Sequence, residues 1–314
     1  MDADAIRIGL VGAGGNMRRK HIPGFRAIEG VELACVANRT LESGRRVAAE
    51  FDIPDVRSNW LEVVEDDSLD AVCIGTWPYM HAPITIAALG AGKHLLVEAR
   101  MAMDSGEARA MLAASRDSPH LVAQVVPSPL TLSVDRTVID MISEGFVGEP
   151  VLVDMRIATG SFPEWDSGLG WRHEREFSGN NVMSMGIWYE GLMRWLGPMA
   201  AVQARAQTVV KHRRDASGRR RAITIPDHVE IVGDMACGGM AHLSFSAVAG
   251  FAPGNDVWIH GTEGALRLRF GGGDPPHAEL EAGRRGDDRM APVDIPAGKR
   301  GAWRVEREFV NAIR

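Results

Sequence analysis

The chain has 314 residues, with 35 lysines and arginines against 41 aspartates and glutamates, so its formal net charge is −6 at pH 7. A mildly acidic chain of this length is typical of about two domains and is a poor general partner for nucleic acids or anionic membranes. The three cysteines lie far apart, and no cysteine or histidine pair has the spacing of a metal site. No apolar run approaches the length of a membrane-spanning helix. These features predict a cytoplasmic protein that binds no nucleic acid, no membrane and no metal.

Strand and helix signals alternate through residues 1–126. Apolar runs predict strands at 5–11, 31–37, 71–75, 94–98 and 121–126. Helical patterns occupy 18–28, 41–51, 82–90 and a segment that Asp104 caps and that runs to about residue 116. Short apolar strands that alternate with helices predict a parallel, doubly wound sheet buried on both faces.

Consecutive strands replace this alternation in residues 127–314. A helix is predicted at 133–143, a strand at 151–159, an apolar helix at 182–196, and further strands at 201–210, 229–235, 240–248, 257–261 and 265–270. The stretches "MACGGM" and "GTEGAL" have the composition of hairpin turns. We therefore predict a second α/β domain with an open, mainly antiparallel sheet. The basic segment "KHRRDASGRRR" at 211–221 is interpreted as a solvated connection between strands.

A glycine-rich turn, "IGLVGAGGNM", follows the first predicted strand. Gly12 permits a tight turn, and Gly14 lets the backbone approach a pyrophosphate at the start of the next helix. Met17 stands where the usual fingerprint has its third glycine. We predict that Gly12, Gly14, Gly15, Asn16 and Met17 bind a dinucleotide, although a plain strand-to-helix turn stays possible.

The second strand ends in Asn38, Arg39 and Thr40, where an NAD-binding protein usually presents an acidic residue to the ribose. A guanidinium and a hydroxyl group suit a 2′-phosphate, so we predict NADP, with NAD as the alternative. The other interpretation is that Arg39 is solvated and Asn38 only caps the following helix.

Several motifs together resemble the Gfo/Idh/MocA family of oxidoreductases. They are "IGLVGAGGNMRRKHIPGF", "GTWPYMHAPITIAALGAGKHLLVEARMA", "SGNNVMSMGIWYEGLMRWLG" and "VWIHGTEGALRL", in the order in which the family has them. The resemblance implies a Rossmann domain, then an α/β domain whose sheet often forms a homo-oligomer, a dimer or tetramer. It also implies hydride transfer between NAD or NADP and a small substrate such as a sugar or polyol.

The resemblance is uneven in the loop after residue 97. The family usually has Glu-Lys-Pro, and this chain has Glu98, Ala99 and Arg100, so the lysine that helps move the substrate proton is replaced. Its Pro-Asn beside the nicotinamide corresponds to Trp77-Pro78 here, while His81 matches. By this mapping Thr76, Trp77, His81 and Glu98 are expected to bind the cofactor.

The second domain also departs from the family. Its Asp-x-Gly-x-His motif reads Ser184, Gly186 and Trp188, so both acid/base groups are replaced while their spacing of four still puts them on one helical face. The chain also ends earlier than the family usually does, and we expect it to be truncated.

Other residues are candidates for the missing chemistry. Tyr189 and His173 are predicted to be catalytic together with Glu98 and Arg100. Alternatively, Tyr189 is a core residue, His173 is an exposed loop residue and Arg100 is an ion-pair partner. Residues predicted to bind substrate are Arg100, Trp171, Arg172, Ser184 and Trp188.

Three functions follow from this pattern. The first is an NAD(P)-dependent oxidoreductase of a sugar-like hydroxyl or carbonyl compound with relocated acid/base groups. The second is elimination or glycoside cleavage on a tightly held cofactor. The third is a non-catalytic member that binds cofactor or ligand.

Overall fold

The computed structural model describes residues 5–182, 184–272 and 277–314. The strands, in chain order, are β1 (Ile6–Val11), β2 (Val31–Ala37), β3 (Asp55–Arg57), β4 (Ala71–Ile74), β5 (His94–Val97), β6 (Ala123–Val125), β7 (Pro150–Ala158), β8 (Met199–Gln207), β9 (His212–Arg214), β10 (Arg220–Ala222), β11 (His228–Met235), β12 (Met240–Ser246), β13 (Asn255–Gly261), β14 (Gly264–Phe270), β15 (Ala278–Arg284) and β16 (Ala291–Pro292).

The α-helices, in chain order, are α1 (Ile22–Arg26), α2 (Leu41–Glu50), α3 (Leu61–Val64), α4 (His81–Gly90), α5 (Ser105–Asp117), α6 (Leu132–Ser143), α7 (Arg175–Ser178), α8 (Met185–Leu196) and α9 (Val305–Ile313). A π-helical turn, Met17–His21, leads directly into α1. Short 3-10 turns occupy Pro78–Met80, Trp171–His173 and Ala297–Lys299. The helix predicted at 182–196 begins at Met185, and Met183 lies outside the described residues.

The chain divides into two compact units. The first contains residues 5–127 and two later segments, Glu176–Asn180 and Arg304–Arg314. The second contains Ser128–Arg175 and Asn181–Trp303. Two segments from the second half of the chain therefore pack with the first unit.

The first unit is built on a six-stranded sheet in the order β3-β2-β1-β4-β5-β6. Every strand pair is parallel, which confirms the predicted doubly wound architecture. The inner strands are apolar because helices cover both faces, and all four residues of β4 are buried. The side chain of Asp104 accepts hydrogen bonds from the backbone N–H groups of Gly106 and Glu107, so it caps α5 as predicted.

The C-terminal helix α9 completes the first unit. Its buried side chains include Val305, Phe309 and Val310, which lie on one helical face. The Phe309 ring packs edge-on against Phe25 of α1, with the ring centroids 6.3 Å apart. Gly24 of α1 leaves room for this helix, since a Cβ atom there would lie 2.7 Å from the carboxylate of Glu306.

The second unit contains an eight-stranded sheet in the order β16-β15-β14-β13-β7-β12-β11-β8. Only β7 and β12 pair in parallel, and the other pairs are antiparallel, as the predicted mainly antiparallel sheet requires. One face packs on α6 and α8 around buried side chains such as Met155, Leu243 and Trp188. The opposite face is rich in ion pairs, for example Arg267 with Asp256 at 3.0 Å.

The basic segment at 211–221 differs from its interpretation as a plain loop. It forms a two-stranded antiparallel hairpin, β9 with β10, closed by a turn in which Asp215 accepts a hydrogen bond from the backbone N–H of Ser217. The sequence pattern did not predict these strands because their side chains are mostly exposed, so no apolar alternation marks them.

Candidate cofactor and substrate site

A cavity of about 490 Å³ lies in the first unit, at the carboxyl ends of β1, β2 and β4. Open α/β sheets bind ligands at this edge, where the strand order reverses between β1 and β4. Its lining includes seven residues predicted to bind the cofactor, namely Gly12, Gly14, Asn38, Arg39, Thr40, Thr76 and Trp77. The fold thus brings together residues from three separate strand ends.

The glycine turn has the backbone geometry of a dinucleotide-binding loop. Gly12 has φ +80°, which side-chain-bearing residues rarely adopt, and a Cβ atom there would lie 2.6 Å from the backbone nitrogen of Thr76. Gly14 differs, because a Cβ atom there would meet nothing closer than 3.9 Å. Gly12 is therefore required by the fold itself, whereas Gly14 keeps space open on the cavity side.

The cavity fits an NAD(P) cofactor on two observations. The open space at Gly14 is where a pyrophosphate would approach the backbone. The hydroxyl oxygen of Thr76, a cavity residue, is buried and has no hydrogen-bond partner among the described residues. A ligand in the cavity would satisfy this group, and buried polar atoms are seldom left unpaired.

The end of β2 forms the ribose side of the cavity. The side-chain oxygen of Asn38 accepts a hydrogen bond from the backbone N–H of Ala13 at 2.7 Å, so Asn38 holds the glycine turn. Thr40, not Asn38, caps α2, by accepting from the backbone N–H of Ser43 at 3.2 Å. The guanidinium of Arg39 stacks on the ring of Trp77 at 5.0 Å. The alternative in which Asn38 caps the helix is therefore wrong.

Five residues predicted to bind the cofactor lie outside this lining, namely Gly15, Asn16, Met17, His81 and Glu98. Met17 is buried beside Cys73, with the two sulfur atoms 3.7 Å apart, because the chain turns inward at this position. Gly15 faces open space. His81 is buried, and its ring nitrogens lie 2.7 Å from the carbonyl oxygen of Arg100 and 2.9 Å from that of Thr76. Asn16 donates a hydrogen bond to Glu98.

His81 therefore links two loops. Burial lowers the pKa of His81, so the ring is neutral at neutral pH. A neutral ring donates to only one carbonyl oxygen at a time. It ties the loop that carries Arg100 to the end of β4, which positions the backbone beside the cavity.

Glu98 is the outer member of a buried ionic triad. Its carboxylate lies 2.9 Å from Nε2 of His21, and Nδ1 of His21 lies 2.6 Å from the carboxylate of Glu306. The exposed fractions of the three side chains are 14% for Glu98, 0% for His21 and 4% for Glu306. One imidazole thus joins the end of β5 to α9.

The pKa values of this triad follow from the pairing. Burial works to lower the pKa of His21, but the hydrogen bonds and charges of Glu306 and Glu98 outweigh it and raise the pKa to about 9. Burial likewise works to raise the pKa of Glu98, but the hydrogen bonds and charge of His21, with the amide of Asn16, lower it below its ordinary value. At neutral pH an imidazolium therefore stands behind an ionised Glu98.

The second unit has its own pocket, of about 140 Å³, between the helix α8 and the sheet. Ser184 and Trp188 both line it, as their predicted common face requires, together with Thr159, Ser246 and Asn255. Trp188 is 3% exposed and packs edge-on against Phe270 at 4.8 Å. Trp188 is therefore mainly a core residue that also forms part of the pocket wall.

Tyr189 lies apart from this pocket. Its hydroxyl oxygen accepts a hydrogen bond from the backbone N–H of Met199 at 2.9 Å, and its ring packs against the core. The interpretation of Tyr189 as a core residue accounts for these contacts, and its catalytic role stays a prediction.

Trp171, Arg172 and His173 form one turn of the second unit. The guanidinium of Arg172 stacks on the Trp171 ring at 4.3 Å. His173 accepts a hydrogen bond from the backbone N–H of Gly170 at 3.0 Å. Burial, with the charges of Arg213 and Arg172, lowers the pKa of His173, so its free nitrogen is neutral at pH 7. These residues stay predictions for substrate binding and catalysis.

His21 and Glu306 were not singled out from the sequence. His21 lies within the quoted motif "RRKHIPGF", but a lone histidine in a helical stretch is most often a core residue. Glu306 lies near the chain end and carries no motif. Only the packing of α9 on α1 brings them to Glu98.

Among the described residues, no group of three or more His, Cys, Asp or Glu side chains is arranged to hold a metal ion.

This fold and cavity define a Rossmann-type NAD(P)-dependent oxidoreductase, and comparison with known proteins gives the family. Residues 6–125 match the family model described as an oxidoreductase family with an NAD-binding Rossmann fold, and residues 136–267 match the GFO/IDH/MocA C-terminal domain. The chain belongs to the Gfo/Idh/MocA oxidoreductases.

Similar proteins include reductases and dehydrogenases. A dTDP-3,4-didehydro-2,6-dideoxy-alpha-D-glucose 3-reductase from Streptomyces antibioticus is 26% identical over 317 residues, which cover 100% of this chain and 90% of that protein. A 1,5-anhydro-D-fructose reductase from Ensifer adhaerens is 32% identical over 177 residues, 56% of this chain and 52% of that protein.

Solved structures share the fold at lower identity. Levoglucosan dehydrogenase in its apo form has a TM-score of 0.81 at 21% identity, covering 99% of this chain and 88% of that chain. A 3-ketoreductase from Actinomadura kijaniata in complex with NADP has a TM-score of 0.72 at 20% identity, covering 98% of this chain and 88% of that chain.

Among the described residues, no helix is both long and apolar enough to cross a membrane.

Proposed function

We propose that this protein transfers a hydride between NADP and the carbonyl or hydroxyl carbon of a small sugar-like compound. The observation that carries the proposal is the cavity at the carboxyl ends of β1, β2 and β4, with Arg39 at its ribose side. The names of the similar proteins support a sugar-like substrate, since two of them are reductases of deoxy- or anhydro-sugars. The replacement of the family's lysine, aspartate and histidine by Ala99, Ser184 and Trp188 means that other groups move the proton.

NADP is preferred because of charge. Arg39 and Arg46 both line the cavity, together with the hydroxyl-bearing Thr40, Ser43 and Ser58. The lining residues that the structure describes include no aspartate or glutamate. Guanidinium and hydroxyl groups suit a 2′-phosphate, whereas an acidic residue would favour the free ribose hydroxyls of NAD.

The substrate side is proposed from the residues of each unit separately. Arg100 follows Glu98 on the β5 loop, and its carbonyl oxygen is held by His81. In the second unit, Ser184, Thr159, Ser246 and Asn255 give the α8 pocket hydrogen-bonding groups suited to hydroxyl-rich ligands. We propose Arg100 as a substrate-binding residue of the first unit. In the second unit we propose Ser184, Trp171 and Arg172, of which Arg172 stacks on the Trp171 ring.

Replacing Arg39 with alanine tests the cofactor preference. The Kd for NADPH is expected to rise about 10- to 100-fold, because one charge-assisted contact to the phosphate is lost. The Kd for NADH should change little. Both are measured by fluorescence titration of the reduced cofactor. Arg45→Ala is the matched control, since Arg45 lies on the same helix as Arg46 but outside the cavity lining.

The outcomes separate the candidate functions. Binding of neither cofactor by a folded protein would contradict the proposal. NADPH binding followed by net oxidation with a keto-sugar panel would support hydride transfer. Cofactor that co-purifies and never turns over would favour elimination or glycoside cleavage on a held cofactor, and ligand binding without any product would favour a non-catalytic role.

We further propose that the protein is a homo-oligomer, a dimer or tetramer, through the open face of the second-unit sheet. On this face Leu152 pairs with Met240 in register, and the two side chains are 38% and 51% exposed. Met240→Glu is expected to lower the molar mass measured by light scattering after size exclusion. Val202→Glu is the control, since Val202 is also exposed but pairs with Gly233 on the helix-side face. A monomeric wild-type protein would contradict this proposal.

The cytoplasmic location stays a prediction, in keeping with the three free cysteines.

A further inference from the structure

We propose that His21 and Glu306 act through Glu98 as the proton supply for carbonyl reduction, in place of the lysine that this chain lacks. The inference rests on the proposed hydride transfer and adds its proton source and its favoured direction. It starts from three side chains that no sequence motif joined and that the fold places in one continuous chain of contacts, Glu98–His21–Glu306.

The placement of Glu98 gives the triad access to the reaction. Glu98 follows β5, and its backbone N–H bonds to the carbonyl oxygen of Ile74, so it lies beside the end of β4 that carries the cavity residues Gly75 and Thr76. One oxygen of Glu98, Oε1, faces His21 and Asn16. The other, Oε2, accepts only a longer hydrogen bond, 3.2 Å, from the backbone N–H of Ala99 among the contacts described. Glu98 thus keeps capacity for a further hydrogen bond, which we assign to the substrate.

The surroundings of His21 explain why it holds a proton. The π-helical turn carries it inward, α1 places the Phe25 ring against it at 6.5 Å between centroids, and α9 supplies Glu306. The buried thiol of Cys73 lies on the neighbouring strand, and burial raises its pKa well above the ordinary value, so it stays neutral. Among the contacts described, the charged groups that face His21 include the carboxylates of Glu98 and Glu306.

Reduction of a carbonyl needs one hydride and one proton. A reduced nicotinamide, when bound, would supply the hydride to the carbonyl carbon. The N–H bond at Nε2 of His21 breaks as its proton passes to the ionised Glu98, and Glu98 gives a proton to the carbonyl oxygen and so returns to its ionised form. His21 then takes a proton from solvent, so the sum is carbonyl plus reduced cofactor plus one proton to alcohol plus oxidised cofactor. The resting triad already holds that proton, which favours reduction over alcohol oxidation.

The first measurement needs no turnover. In protein labelled with ¹⁵N-histidine, the resonance missing from His21→Gln identifies His21, and its titration gives its pKa. We expect His21 to stay charged until about pH 9. In Glu306→Gln the titration should move to lower pH, because one of the two carboxylates is gone. A wild-type His21 that is neutral at pH 7 would overturn the proposal, whatever the catalytic activity.

The second measurement is the pH profile of NADPH-dependent reduction, with 1,5-anhydro-D-fructose and a keto-sugar panel as probes. At pH 8 the kcat of Glu306→Gln is expected to fall about 10-fold, with KM and the Kd for NADPH nearly unchanged. This is less than the roughly 100-fold or more expected for loss of a whole acid catalyst, because His21 and Glu98 are still present. Its profile should also break at lower pH than that of the wild type. Glu308→Gln is the control, since Glu308 lies on the same helix but is exposed.

Each remaining outcome decides the matter. If Glu306→Gln loses stability but keeps the wild-type kcat and pH profile, the triad is only structural and the proposal is wrong. If NADPH binds and His21 is charged but no probe is reduced, proton delivery is overturned together with the sugar-reductase assignment. If reduction occurs but NADPH binding alone fails in the variants, the cofactor proposal stands and the triad serves binding.

Discussion

Replacing Gly12 with alanine is expected to raise the Kd for NADPH at least about 100-fold and to destabilise the protein by about 2 kcal/mol. The reason is local. The residue has φ +80°, and the new Cβ atom would lie 2.6 Å from the backbone nitrogen of Thr76, which cannot move away as a flexible side chain could. The glycine turn must therefore shift, and a shift of about 1 Å at such a site is costly for binding.

Two neighbouring glycines make this prediction specific. Gly14→Ala should fold normally but bind NADPH more weakly, because its Cβ atom would occupy space that the cofactor needs while meeting no protein atom closer than 3.9 Å. Gly15→Ala should change neither property, since nothing lies within 4 Å of its Cβ position. Fluorescence titration and thermal unfolding of the three variants are the measurements. Equal effects at all three positions would contradict the assigned geometry of the turn.

The stability of the protein is expected to fall by about 3 kcal/mol between pH 6.5 and pH 9, because of His21. The folded protein raises the pKa of His21 from 6.5 to about 9, so the folded state binds this proton more tightly than the unfolded chain does. The stabilisation is therefore complete below pH 6.5 and is lost as the pH rises to about 9. His21 is fully buried, so solvent screening reduces the effect little.

Urea unfolding at pH 6.5, 7.5, 8.5 and 9.5, followed by tryptophan fluorescence, measures this slope. In Glu306→Gln the fall should be smaller, since the imidazolium keeps one carboxylate partner, and Glu308→Gln should match the wild type. Burial lowers the pKa of His81, His94 and His173. These groups lower the stability of the protein only as the pH falls below 6.5, so they do not mask the slope. An identical slope in Glu306→Gln would show that Glu306 does not hold the proton on His21.

The architecture of the first unit could be predicted because its strands are short, apolar and buried. The run of β4, for example, contains no polar residue that would blur the pattern. The short strand β3 was not predicted, because Asp55–Arg57 is polar and only partly buried at the sheet edge. The strand β15 was missed for a related reason. Its glutamates, Glu279 and Glu281, face the open side and pair with arginines of β14.

The cofactor side of the site could also be predicted, since the glycine turn and the end of β2 each carry local signals. The surroundings of single side chains could not be predicted in the same way. Met17 and Trp188 are predicted ligand contacts, and the structure shows that both side chains are buried, while Trp188 also lines the pocket beside α8. A sequence pattern shows that a residue is apolar and where it lies on a helix, but not what packs against it.

By itself, the sequence determined the doubly wound first unit, the mainly antiparallel second sheet and the glycine turn. These depend on local periodicity and on residue type, which neighbouring positions reveal. Only the tertiary structure decided that α9 belongs to the first unit and that Glu306 meets His21 and Glu98. The physical reason is that an ionic triad depends on long-range packing of distant segments, whose buried charges become favourable only when all three partners are in place.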